Sequence, residues 1–283
     1  MIDSRTRHLI DLALEEDAAS RDLTSQAIFT PRSQAVAVIT AGEPIVLCGV
    51  DVAAAVFTRL DPSVRVRVRA RDGARLRRGA AILEARGSTI ALLGAERTVL
   101  NFLQRLSGIA TAAAAYVRAV AGTGVRVVDT RKTTPGWRAL EKYAVRCGGA
   151  CNHRASLGEH VLIKDNHIAA AGSVRRAVAL TRAAAPHTAR IEVEADTRDG
   201  VRQALAAGAD AILLDNMSPA EVTRAVALVR GRALIEVSGG IRLETIRAYA
   251  IPGVDVISAG ALTHSVRAAD LSMSVRSSRR RAV

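Results

Sequence analysis

The chain has 283 residues, 49% hydrophobic and 24% charged, enough for one large domain or two ordinary ones with a real core. Its net charge of +13 comes with only 2% aromatic residues and with arginines spread along the whole length, which argues against a nucleic-acid binder that needs stacking platforms and favours attraction of small anions. No apolar run approaches the roughly 18–20 residues of a membrane span, the N-terminus has no signal-peptide pattern, and Cys48, Cys147 and Cys151 give neither a disulfide framework nor zinc spacing, as expected of thiols in a reducing cytoplasm.

In chain order, "RHLIDLALEED" places Ile10, Ala13 and Leu14 at helical i, i+3, i+4 spacing. "QAVAVITAGEPIVLCG" and "SVRVRVRARDGARLRRGAAILEARG" predict strands. Within the second, Val64, Val66 and Val68 alternate with arginines, the period of a half-buried strand. "GAERTVLNFLQRLSGIATAAAAYVRAVAG" predicts a long helix, broken or kinked near Gly108. From Val125 onward six short apolar runs end in polar residues: "VRVVDTRK", "VLIKDN", "RIEVEAD", "AILLDN", "ALIEVSGG" and "VDVISAGA". Amphipathic helices lie between most of them, and one opens with Ser218-Pro219-x-Glu221, a capping box with proline at the first helical position. Continuous Ile/Leu/Val runs predict strands buried on both faces, as in a parallel sheet. Six strand–helix alternations mean a (β/α) barrel or a doubly wound sheet. The tail "RSSRRRAV" reads as a short solvated, frayed basic run.

The polar residues choose between these folds. Arg131, Lys132, Lys164, Glu194, Asp215, Ser238 and Ser258 all fall at or just past the C-terminal end of a predicted strand. A barrel gathers such ends on one face, whereas an open sheet spreads them along an edge. "SGGI" (Ser238, Gly239, Gly240, Ile241) and "SAGAL" (from Ser258 through Ala259 and Gly260) are small-residue stretches after the last two strands. Their backbone N–H groups, with the dipole of the next helix, suit a phosphate.

Glu194 and Asp215 suit Mg²⁺, sugar hydroxyls or developing positive charge, or else an arginine salt bridge. Lys164 suits a Schiff-base nucleophile or a cationic clamp. Glu192 and Glu236 point the same way but deeper, in structural roles. Arg131, Lys132, His153, Arg154 and Lys164 form a donor cluster with almost no opposing carboxylate, a demand for an anionic ligand. Lysine is itself rare: of 40 basic residues only Lys132, Lys142 and Lys164 are not arginine. Two of the three stand at strand ends, where a compact point charge fits and a planar fork does not; Lys142, inside "RALEKYAV", reads as structural.

"ERTVLNFLQRLSGIAT", "DTRKTTPGWRALEKYAVRCGGACNHR", "VLIKDNHI", "AILLDNMSP", "IEVSGGI" and "DVISAGALTHS" resemble the quinolinate phosphoribosyltransferase family (nicotinate-nucleotide pyrophosphorylase, carboxylating). The resemblance implies an α/β fold: an N-terminal open-faced α/β sandwich over 1–110, joined by residues 265–283, and an incomplete seven-stranded α/β barrel over 111–264. One barrel strand is therefore missing from the six runs. It also implies a cytoplasmic enzyme of NAD biosynthesis, a homodimer with interface active sites or a higher homo-oligomer, with quinolinate and 5-phosphoribosyl-1-pyrophosphate as substrates. Mg²⁺ is the implied cofactor, and neither nucleic acid nor membrane is a partner. Residue by residue, Arg131, His153, Arg154 and Lys164 match quinolinate-binding positions, and Arg97 matches an arginine supplied by the neighbouring subunit. Lys132, Glu194 and Asp215 match groups on the phosphoribosyl donor and its Mg²⁺, and make the implied catalytic set. Ser238–Gly240 and Ser258–Gly260 match the 5′-phosphate cradle. The segment "ASLGEH" after Arg154 departs from the family pattern at Ser156 and Gly158. The alternatives are a paralogous phosphoribosyltransferase for another aromatic acid and a Schiff-base aldolase acting through Lys164.

Overall fold

The computed structural model describes residues 2–278. They divide into two compact units: residues up to 112, 139–149 and from 266 on, and Ala113–Arg138 with Ala150–Ser265. None of the described helices is long and apolar enough to cross a membrane.

The first unit opens with α1 (Ser4–Glu16), started by Asp3, whose carboxylate accepts the Thr6 N–H at 2.7 Å. Then follow α2 (Leu23–Ile28), β1 (Gln34–Ala41), β2 (Ile45–Val46), α3 (Val50–Leu60), β3 (Arg65–Val68), β4 (Arg75–Leu76), β5 (Ala81–Ser88) and α4 (Thr89–Ala119). β1 is flanked by β5 on one side and the C-terminal strand Leu271–Ser277 on the other, both antiparallel, with β3 on the far edge of β5. Helix α3 packs on β3 and β5, with α1 behind it, and Ile39, Phe57, Ile82, Leu83 and Phe102 are fully buried. The C-terminal segment thus joins the N-terminal sheet. Arg276 and Ser277 belong to that strand rather than to a frayed run; residues 279–283 lie outside the described residues.

Two local expectations change. Val64 is 2% exposed but Val68 is 44% exposed, because β3 is the sheet's edge and has β5 on one side only. Helix α4 runs unbroken through Gly108. The glycine serves a close approach instead: a Cβ there would stand 2.3 Å from the Arg267 carbonyl oxygen of the returning chain.

The second unit carries β6 (Arg126–Val128), β7 (Val161–Ile163), β8 (Ile191–Ala195), β9 (Ala211–Asp215), β10 (Leu234–Ser238) and β11 (Val256–Ser258). All pair in parallel, in the order β6-β11-β10-β9-β8-β7. A seventh position is a single parallel bridge on the free side of β6, Val128 to Cys151. The chain therefore winds through seven positions in sequence order, and the ring stays open between the Cys151 segment and β7. This is an incomplete α/β barrel. "GACNHR" has no apolar run, so periodicity could not find a strand only one bridge long. The helix Pro219–Val229 starts as expected: Ser218 N–H donates to Glu221 Oε2 at 2.8 Å, and Ser218 Oγ accepts the Glu221 N–H at 3.4 Å.

Helix α5 (Arg138–Cys147) differs from the sequence division, because residues 139–149 cluster with the first unit. Its buried face explains this. Glu141, 0% exposed, accepts from Arg105 of α4 at 2.7 Å, and the Tyr143 hydroxyl donates to Asp72 at 2.9 Å. Lys142 is buried on the same helix.

Candidate active site

The strand ends of the second unit enclose a cleft of about 460 Å³, the size range of small-molecule sites. Arg131, Lys132, His153, Arg154, Lys164, Glu194, Asp215, Ser238, Gly239, Gly240 and Ser258 line it, together with Thr130, Asn216 and Glu236. Lys142 is not among the lining residues. Arg97 is exposed on α4 in the first unit, with no partner among the described residues.

Parallel register positions these side chains. Ile163 pairs with Val193, so the next residue on each strand, Lys164 and Glu194, stand side by side, and the Lys164 ammonium is ion-paired to Glu194 Oε2. Asp215 pairs with Ser238, which puts the β9 acid level with the first small residue of "SGG". Ser258 ends β11 against Val128, three residues before Arg131. Beyond Val128, Asp129 is fully buried and holds the seventh position. It accepts from Asn152 Nδ2 at 2.6 Å and from the His153 N–H at 2.9 Å.

Lys132 is fixed through its backbone. Its N–H donates to Thr130 Oγ1 at 3.0 Å, and its carbonyl accepts from Thr263 Oγ1 at 2.7 Å. At the other end of the cleft Gly239 and Gly240 have φ of +91° and +62°. A Cβ on Gly239 would stand 2.3 Å from Asn216 Oδ1, so only glycine lets the chain pass there. Asn216 itself is left-handed (φ 55°), and its N–H donates to the Ser238 carbonyl at 3.0 Å. Helices Ile246–Tyr249 and Ala261–His264 follow these loops but have only four residues each. The expected helix dipole is therefore slight, and the donors available to a phosphate are loop N–H groups and the Ser238 and Ser258 hydroxyls. Ala259 is buried with its N–H on the Val128 carbonyl at 3.0 Å, so it does not line the cleft. Gly260 lies behind Lys132: a Cβ there would be 3.1 Å from Lys132 Cδ.

The cation cluster has more opposing carboxylate than the sequence suggested. Glu194 meets Lys164, while Glu192 and Glu236 each approach His153 Nε2 at 3.4 Å. The period of two along β8 and β10 turns both acids inward, but their partner comes from the segment that gave no strand signal. Burial opposes a charged His153, yet the two carboxylates outweigh it and raise the ring to about 9; burial above all pushes Glu192 up. The Arg154 N–H, however, donates to His153 Nδ1 at 2.8 Å, and a doubly protonated ring offers it no acceptor. Charge and contact disagree, and the direct contact decides: Nδ1 accepts and the ring proton sits on Nε2 between the glutamates. With that proton in place Nε2 is not a metal ligand, although His153, Glu192 and Glu236 cluster closely enough to suggest one.

What stays uncompensated is the arginine pair. Arg154 is buried, with one contact from Nη1 to the His160 carbonyl at 3.0 Å; burial, then the charge of Arg131, pulls it below the ordinary arginine value. Arg131 Nε is buried without a partner, and so is Glu236 Oε1. Both orphaned atoms belong to residues of this cleft, which marks it as incomplete without a ligand.

An incomplete α/β barrel with an anion-demanding cleft at its strand ends, in a chain that also carries an N-terminal α/β sheet, defines the class of enzyme. Family models described as quinolinate phosphoribosyl transferase, N-terminal domain and C-terminal domain, match residues 22–107 and 109–274. The chain is 46% identical over 260 residues to the probable nicotinate-nucleotide pyrophosphorylase [carboxylating] of Bacillus subtilis, covering 92% of this chain and 90% of that protein. It is 45% identical over 273 residues to the nicotinate-nucleotide pyrophosphorylase [carboxylating] of Mycobacterium leprae, covering 94% and 96%. The crystal structure of NadC from Streptococcus pyogenes superposes with a TM-score of 0.91 at 45% identity, over 95% of this chain and 96% of that one. The chain belongs to the quinolinate phosphoribosyl transferase family.

Proposed function

We propose that this chain transfers the phosphoribosyl group of 5-phosphoribosyl-1-pyrophosphate to the ring nitrogen of quinolinate. The products are nicotinate mononucleotide, pyrophosphate and CO₂, a step of NAD biosynthesis. Beside family membership, the observation that carries this reading is the buried, unpartnered Arg131 Nε next to Arg154, two adjacent cations that call for a carboxylate ligand.

Arg131 and Arg154 take the two carboxylates, and His153, fixed between the glutamates, positions Arg154 through the Arg154 N–H. Lys164 exchanges Glu194 for the substrate, which frees Glu194 to face the ribose with Asp215. Ser238–Gly240 and the Ser258 hydroxyl hold the 5′-phosphate, and Lys132 faces the pyrophosphate. Glu194 and Asp215, two carboxylates on neighbouring strands, would hold an Mg²⁺, which would supply charge neutralisation for the leaving pyrophosphate. The ring nitrogen attacks C1 as the C1–O bond breaks. The ring is then a cationic pyridinium, able to accept the electron pair released when the C2–carboxylate bond breaks, and solvent supplies the proton that replaces CO₂. A Schiff-base aldolase is the weaker reading, because both halves of the chain match a phosphoribosyl transferase family. The unbridged cysteines fit a cytoplasmic enzyme.

The test is a direct assay with phosphoribosyl pyrophosphate, Mg²⁺ and either quinolinate or nicotinate, reading nucleotide and CO₂. Nicotinate lacks one carboxylate and leaves a buried cation unpaired, a deficit on the order of 2–5 kcal/mol, so it is expected to react far more slowly. Comparable turnover of the two acids would overturn the assignment and favour a paralogue for a different acid.

A further inference from the structure

The first unit holds a second chemical cluster, which the transfer reaction leaves unused. Cys48, in the turn between β2 and α3, and Cys147, the last residue of α5, meet beside Asp72, with sulfur and carboxylate atoms all within 4.8 Å of one another. Cys48 is fully buried and Cys147 half-buried. The two sulfurs lie within 4.8 Å of each other. The neighbouring thiol is the main influence on each, lowering Cys147 and raising Cys48, while burial and the charge of Asp72 push both upward. The pair therefore has a half-buried sulfur that an incoming disulfide can reach and a fully buried one behind it, the division found in thiol–disulfide exchange.

Asp72 does not compete for either sulfur. Its Oδ1 accepts the Val50 N–H at 3.1 Å and its Oδ2 accepts the Tyr143 O–H at 2.9 Å. A structural zinc would need four protein donors, and the cluster among the described residues has three. Bond formation requires the sulfurs to close to about 2.05 Å. Cys147 ends a helix and is followed by Gly148 and Gly149, the latter at φ +90°, so the chain beyond it can yield.

We propose that Cys48 and Cys147 are a reversible disulfide-forming pair, oxidised by a small-molecule disulfide, which staples the end of α5 to the turn before α3. The Cys147 thiolate attacks one sulfur of the small disulfide and expels a thiolate, leaving a mixed disulfide on Cys147. Cys48 passes its proton to the expelled thiolate and attacks the Cys147 sulfur, releasing a second thiolate, which takes from solvent the proton that Cys147 gave up on ionising. Two electrons leave the cysteine pair, and the small disulfide departs as two thiols. The bond would fix the helix that the chain crosses between Lys132 and His153.

The experiment incubates reduced full-length protein with glutathione disulfide, alkylates the remaining thiols in denaturant, and maps peptides without reduction. The expected result is a peptide pair joined through Cys48 and Cys147, alkylation at Cys151 alone, and a raised thermal midpoint, all reversed by dithiothreitol. Cys151→Ser should still form the link. The proposal is overturned by glutathione retained on Cys147 without the link, by three alkylated cysteines, or by stoichiometric Zn²⁺ protecting both thiols.

Discussion

At the scale of single residues, the site is built from side chains that chemistry alone distinguishes, held by others that it does not. Lys132 is one of three lysines among 40 basic residues, with backbone anchored to Thr130 and Thr263 and with Gly260 directly behind its stem. There is room for a narrow chain ending in a point charge, and little for a planar fork. Lys132→Arg should lower turnover by about 10²-fold without lowering the thermal midpoint, and near-normal kinetics would show that charge alone suffices. Gly239→Ala should do the reverse and disturb the fold as well. Its positive φ and its contact with Asn216 cost on the order of 1–3 kcal/mol, seen as a lower melting midpoint with a raised KM for phosphoribosyl pyrophosphate. The strand-end residues were legible because each apolar run stops at a polar group. Asn216, Asp129 and Asn152 were not, since their parts rest on a left-handed backbone and on contacts with a segment that has no pattern.

At the scale of elements, legibility followed hydrophobic signal. Long runs such as "AILLD" and the capped helix Pro219–Val229 read directly. The seventh barrel position has one bridged pair and no apolar stretch, so nothing in the sequence marks it. Helix α5 was legible as a helix but not in its allegiance, because its attachment is polar: a buried glutamate and a tyrosine hydroxyl, meeting residues far away in the chain. Glu141→Leu should show how much depends on that attachment. Removing the buried carboxylate from Arg105, which is itself partly exposed, should destabilise the protein by about 3 kcal/mol, the low end for a broken buried pair, measured as a shift in denaturant midpoint. A change under about 0.5 kcal/mol, the size expected of a surface substitution, would mean that apolar packing by Ala144 and Val145 holds the helix alone.

At the scale of the whole molecule, one residue of the site implied by the family resemblance, Arg97, is not among those lining the cleft. Arg97 is exposed on α4 with no partner among the described residues, and we expect it to complete the site of a second copy. Arg97→Ala and Lys132→Ala should then each be inactive alone. Co-expressed, they should recover roughly a quarter of wild-type activity, because about half of randomly paired dimers are mixed and each mixed dimer keeps one intact site. No recovery from verified mixed dimers would confine Arg97 to its own subunit or to no part in catalysis. The sheet around β1 has a separate consequence, for the order in which the protein is made. All seven barrel positions have been synthesised once Ser258 is added, whereas β1 waits for Leu271–Ser277 before its second ladder can close. The segment translated first is thus among the last to be finished. During that interval β1 has β5 on one side and an open edge on the other, the state in which a nascent chain is most exposed to pairing with the wrong strand.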